Sequence, residues 1–202
     1  MFKSNFYYNE YSFKNIKILI YSKSSINWKN VLYNLQKIEK YLKNINFIYF
    51  GKFQNLKNNN NVSEYKNNSI IISNQINDDI NFLKCIIHEC IHSFVDVFEK
   101  INFFEHAKKE YLEKKKIVLN KLHDPDNDHF VNFVYYNKQF DEYLMNIGYN
   151  KLQTLIKGKF PTPYSMTSFI EYVAICAEEF FFDDGLTIEK LCPFTIKFLK
   201  SF

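Results

Sequence analysis

The front of the chain alternates short apolar runs with polar breaks, and the back carries apolar positions at helical spacing. The stretch 15–22, NIKILIYS, is rich in Ile and bounded by polar residues, which predicts a strand. Residues 27–44 place Val31, Leu32, Leu35, Ile38 and Leu42 three or four apart, which predicts an amphipathic helix. The runs 47–50 and 69–73 (SIIIS) predict two more strands, and the Asn-rich stretch 56–68 between them reads as an exposed loop. The front third is thus expected to be β-α-β-β, a small twisted sheet with one helix on a face.

Beyond residue 77 the pattern is almost wholly helical. Asp78 or Asp79 can cap a helix running to about Lys100, with Leu83, Ile87, Ile91, Phe94 and Phe98 as one stripe and Ile86, Cys90 and Val97 on another side. A helix apolar on two sides is a buried one, so its polar residues need a reason. A Lys/Glu-rich helix over 104–122 reads as solvated. A polar turn follows at 123–129 and another helix at 130–147. Gly158, Pro161 and Pro163 break the chain before a helix over 167–182, a turn at Asp184 and Gly185, and a last helix over 188–201. The expected class is α+β. One domain spans 1–202, with a small α/β part over 1–76 and a mostly helical part over 77–202 that carries an insertion at about 103–159.

Composition narrows the function. The net charge is +4, lysines alternate with acids, and arginine is absent, so nucleic-acid binding is not indicated. The high Asn, Lys and aromatic content reads as AT-rich codon usage and carries no functional weight. No apolar run approaches the roughly 20 residues that span a bilayer, and the first residues lack the apolar core of a secretory signal, so a soluble cytoplasmic protein is expected. Cys85, Cys90, Cys176 and Cys192 form no C-x-x-C pair, which suggests reduced thiols.

One motif carries chemistry. His88-Glu89-Cys90-Ile91-His92 is H-E-x-x-H within the buried helix. Two imidazoles four residues apart share a helical face and can hold one Zn2+ ion, while Glu89 reaches a metal-bound water without ligating. Zinc acidifies that water, and the carboxylate can take its proton and deliver it to a leaving amine. Cys90, two residues after His88, points elsewhere and is not expected to ligate. Catalytic zinc usually takes three protein ligands. Val95 and Phe98 stand where metzincins place Gly and His, so the third ligand is expected from an acid on a later helix. Glu171 is the best candidate, in a segment that also reads as a capping box with Ser168. Glu178 and Glu179 compete with it, and Glu178 fits a group that orients a ligand.

The run 164–181, YSMTSFIEYVAICAEEFF, together with H-E-x-x-H, resembles the zinc peptidases that include the anthrax lethal factor catalytic domain and Mlc titration factor A. The resemblance covers about 69–92 and 164–202, and implies a zincin-like fold with Glu171 as third ligand and Tyr164 as the phenol that steadies the oxyanion. The expected function is a zinc metalloendopeptidase acting on a protein or peptide, with SIIIS as the edge strand that pairs with substrate. The alternative is an inactive zincin-fold binding or regulatory protein, with the insertion as its partner surface or as a lid over the cleft. His106, the cluster at 123–129 and the phenylalanines at 180–182, 194, 198 and 202 read as surface or core features.

Overall fold

The computed structural model describes residues 9–58, 61–94, 104–122 and 129–201. The chain is α+β: a five-stranded mixed sheet precedes a mostly helical part. It divides into two compact units, Met1–Phe94 and Val95–Phe202, so the metal-motif helix belongs with the sheet.

In the first unit, β1 (Asn9–Phe13) and β2 (Ile16–Ile20) form a hairpin that turns through Lys14 at φ 52°. The helix expected over 27–44 is α1 (Trp28–Leu35) followed by a 3-10 helix (Gln36–Asn44). Then come β3 (Phe47–Gly51), α2 (Gln54–Asn58), β4 (Ser63–Lys66), β5 (Ser69–Ser73) and α3 (Asp79–His92). The sheet order is β1-β2-β3-β5-β4, with the β2–β3 and β3–β5 pairs parallel.

Two expectations are corrected here. The stretch 56–68 is not an exposed loop, since it supplies the end of α2 and all of β4. Nor is SIIIS an edge: β5 lies between β3 and β4, and the edges are β1 and β4. The cause is a two-residue turn, Asn67-Asn68, with both φ values positive (50° and 57°). Asn tolerates that region better than most residues, and such turns join twisted antiparallel strands. β1 escapes the apolar pattern because most of its residues are exposed or half-buried.

One sheet face makes the core of this unit. Ile18, Ile48, Phe50, Ile70 and Ile72 are completely buried, and Phe50 meets Trp28 of α1 and Phe82 of α3 edge-on at ring separations of 5.9 and 5.6 Å. Apolar burial is the main driving force for this packing. Asp79, at the start of α3, accepts from the backbone N–H of Asn27 (2.7 Å) and from the Asn30 amide (2.8 Å), which fastens α3 to the start of α1.

The second unit comprises α4 (Glu105–Asn120), α5 (Lys138–Ile147), α6 (Tyr149–Ile156), a 3-10 turn (Tyr164–Met166), α7 (Phe169–Phe182), α8 (Gly185–Leu191) and α9 (Pro193–Ser201). The helix expected over 130–147 starts only at Lys138, where Asn137 caps it by accepting from Phe140 N–H at 3.0 Å. Gly148, at φ 87°, separates it from α6, which the periodicity does not predict. The expected last helix is two, because Pro193 disfavours helical geometry at Cys192 and can itself only begin a helix.

α4 is not a solvated helix. Ala107, Tyr111, Val118 and Leu119 are buried on one face, hidden in the sequence by the surrounding Lys and Glu. Tyr111 packs on Phe160, Phe169 and Tyr172 with ring centroids 5.5–5.9 Å apart, and its hydroxyl donates to the Met166 carbonyl at 2.9 Å. This part of the supposed insertion is therefore core of its unit. Buried α4 polar groups are satisfied: Glu110 accepts from the Tyr172 hydroxyl (2.7 Å), the Thr195 hydroxyl (2.8 Å) and Phe194 N–H (3.0 Å). Among the terminal phenylalanines, Phe198 is buried and Phe194 is half-exposed, while Phe202 lies outside the described residues.

No helix among the described residues is long and apolar enough to cross a membrane.

Candidate metal centre

Asp78 caps α3, its side chain accepting from Asn81 N–H at 2.8 Å. Leu83, Ile86, Ile87, Cys90, Ile91 and Phe94 are buried as the stripe predicts. The continuation of this helix toward Lys100, with Val97 and Phe98, lies outside the described residues, as do residues 123–128 of the polar turn.

Helical spacing brings His88 and His92 together, with their Nε2 atoms 3.0 Å apart and ring planes tilted by 46°. Two nitrogens each about 2.0–2.1 Å from one tetrahedral ion stand roughly 3.3 Å apart, close to this separation. Both imidazoles are half-buried. The ligand atoms of His88, His92 and Glu171 all lie within 4.8 Å of one another, so these three residues are positioned as a possible metal site. Two imidazoles and a carboxylate are a donor set that divalent transition ions favour, so the residues present fit such an ion.

Among the described residues this is the one group of metal-ligating side chains that converges, and it contains neither Glu178, Glu179 nor Cys90. Burial pushes the Cys90 thiol well above its usual range, and the neighbouring Glu89 carboxylate adds to the rise, so it stays protonated. His106 instead stacks on Phe194, and His129 lies against Phe130.

Glu171 sits in the first turn of α7. Ser168 caps that helix by accepting from Glu171 N–H at 3.3 Å, so the cap uses the glutamate's backbone while its carboxylate belongs to the ligand group. Tyr164 stands seven residues earlier on the 3-10 turn, half-exposed, with its carbonyl accepting from the Thr167 hydroxyl at 2.8 Å. Glu178 is half-buried on the same helix as Glu171.

Glu89 is buried, 6% exposed, and accepts a hydrogen bond of 2.7 Å from the Ser63 hydroxyl. Ser63 is hidden in the sequence because the Asn-rich stretch around it has the composition of a loop. The available signal was the Asn67-Asn68 pair before SIIIS, a hairpin turn that implies a strand ahead of it. Ser63 fixes the carboxylate from the edge strand. If Glu89 moves the proton in hydrolysis, Ser63→Ala lowers kcat about tenfold with metal content unchanged, and Ser63→Thr restores it, as steady-state kinetics would show.

No protein-family model matches this chain, and neither a curated protein nor a solved structure matches it.

Proposed function

We propose that the protein is a zinc-dependent metalloendopeptidase of the zincin type, with His88, His92 and Glu171 holding the ion. The convergence of these three ligand atoms, two of them on the helix turn that also carries Glu89, is the observation that carries this reading. When bound, zinc supplies a Lewis acid that makes water nucleophilic near neutral pH and polarises a carbonyl.

The chain's own residues do the rest. Glu89 takes a proton from the attacking water and passes it to the departing amine, with Ser63 holding its carboxylate in place. Tyr164 donates its hydroxyl to the oxyanion. The edge strand β4 offers its outer backbone to an extended peptide, taking the part that the pattern gave to β5. Cys85, Cys90, Cys176 and Cys192 are all unbridged, which fits a reducing compartment such as the cytoplasm.

Metal analysis tests the reading. The purified wild type carries about one zinc per chain, and His92→Ala carries almost none while its far-ultraviolet circular dichroism is unchanged. Two histidines and one carboxylate also suit iron in oxygen-activating sites. Iron in the wild type, or undiminished zinc in His92→Ala, would overturn the assignment.

A further inference from the structure

Three helices of the second unit contribute to a cavity that the metal chemistry does not use. It measures about 460 Å³, within the range of small-molecule sites. α6 gives it one wall with Tyr149, Ile156 and Lys157, which share a helical face, and α8 gives another with Ile188 and Leu191. Glu179 of α7 and the loop 158–163 complete the lining. Gly148 at φ 87° and Gly158 at φ 72° bound α6, and a Cβ at either would meet nothing within 4 Å, so the backbone conformation and not crowding calls for glycine. These two turns set the direction of α6 and so shape its wall. Within the loop, Thr162 and Ser165 exchange hydrogen bonds of 3.3, 3.2 and 2.6 Å, which fixes that side of the cavity.

The lining divides by chemistry. Ile156, Phe160 and Ile188 are buried and Leu191 is half-buried, which makes an apolar floor. Three charged residues join it: Glu179 is half-buried, while Asp184 and Lys157 are exposed. Asp184 caps α8 by accepting from Thr187 N–H at 3.0 Å and from the Thr187 hydroxyl at 2.5 Å, and these bonds hold its carboxyl below the usual range, so it keeps its charge. Two carboxylates against one ammonium leave an excess of one negative charge, which a single ligand cation balances. Tyr149 and Phe160 bring aromatic rings to the same lining, and such rings attract cations. An anionic ligand would meet both carboxylates, and a neutral one would leave the excess charge unanswered.

We infer that this cavity is a binding site for a small organic monocation, an ammonium or guanidinium group carried on an apolar body such as a single ring. The cationic head meets Glu179 and Asp184, and the body covers Ile156, Ile188 and Leu191. Glu179 is the stronger partner, because a charge pair partly withdrawn from water is screened less than one at the surface. Lys157 opposes a second positive charge, so the site favours singly charged ligands over doubly charged ones. Binding here requires neither the metal nor peptide hydrolysis.

The test is a titration of the full chain, labelled at its isoleucine methyl groups, with 2-phenylethylammonium, followed by methyl NMR. The signals of Ile156 and Ile188, assigned with Ile156→Val and Ile188→Val, shift and saturate, while those of Ile18 and Ile48 in the sheet core stay in place. The neutral isostere 2-phenylethanol and the anion 3-phenylpropionate bind at least about tenfold more weakly. Glu179→Gln weakens the ammonium about tenfold, and Lys157→Gln tightens it by about threefold. Absence of a saturable shift at Ile156 and Ile188 overturns the inference. So does binding of the alcohol or the carboxylate as tight as that of the ammonium, a comparison made on the wild type alone.

Discussion

Glu89→Gln lowers peptide hydrolysis by about 10²- to 10⁴-fold while zinc content stays at the wild-type level. The amide has nearly the shape of the carboxylate and can still meet the Ser63 hydroxyl, but it cannot take a proton from water. His88 and His92 are untouched, so the metal stays. The pairing of intact metal with lost turnover separates a proton-transfer role from a structural one. Cleavage of a mixed peptide library, followed by mass spectrometry at matched zinc loading, measures it. Hydrolysis by the variant at the wild-type rate would remove Glu89 from the chemistry.

The second large effect concerns stability. Lys115 is fully buried in α4, donates to the Phe133 carbonyl at 2.8 Å, and stands 3.9 Å from the centre of the Phe140 ring. Burial pushes its amine down from 10.5 to about 7. The folded state thus disfavours the charged form. Below pH about 7 the lysine is charged in both states and its cost to folding is complete. Between there and 10.5 the unfolded chain holds the extra proton, so this residue's contribution to stability becomes less unfavourable as pH rises. Each pKa unit is worth about 1.4 kcal/mol, and the ring contact and hydrogen bond offset part of the total.

Lys115→Met is accordingly more stable than wild type at pH 7 by about 2 kcal/mol, after allowing for the Phe133 carbonyl that loses its donor. The difference shrinks steadily toward pH 10. Urea unfolding of both proteins at several pH values reads it directly. A difference that does not change with pH would mean that Lys115 keeps its proton throughout.

How much of this was legible in the sequence depends on whether the signal was local. The metal pair was readable because H-E-x-x-H is a four-residue statement whose geometry follows from the helix alone. The strands rich in Ile and the caps at Asp78 and Ser168 were legible for the same reason. β4 was not, since Ser63–Lys66 has no buried residue, and its existence depends on the turn that returns it beside β5. α4 was misjudged because Lys114 and Lys115 read as solvated, while the fold buries Lys115 and half-buries Lys114, each over an aromatic ring. The sequence favours Glu171 over Glu178 and Glu179 by its place early on a greasy helix, and it is the one whose carboxylate lies beside His88 and His92.

The sheet's parallel centre has a consequence for the order of events as the chain folds. His88 and His92 meet as soon as one helical turn forms, an event of a microsecond or less. Ser63 reaches Glu89 only across 26 residues, and Asp79 reaches Asn27 across 52. Pairing β2 with β3, and β3 with β5, also requires closing loops that contain helices, and such non-local contacts come slowly. During refolding the imidazole pair therefore precedes the long-range contact with Ser63 that holds Glu89 in position.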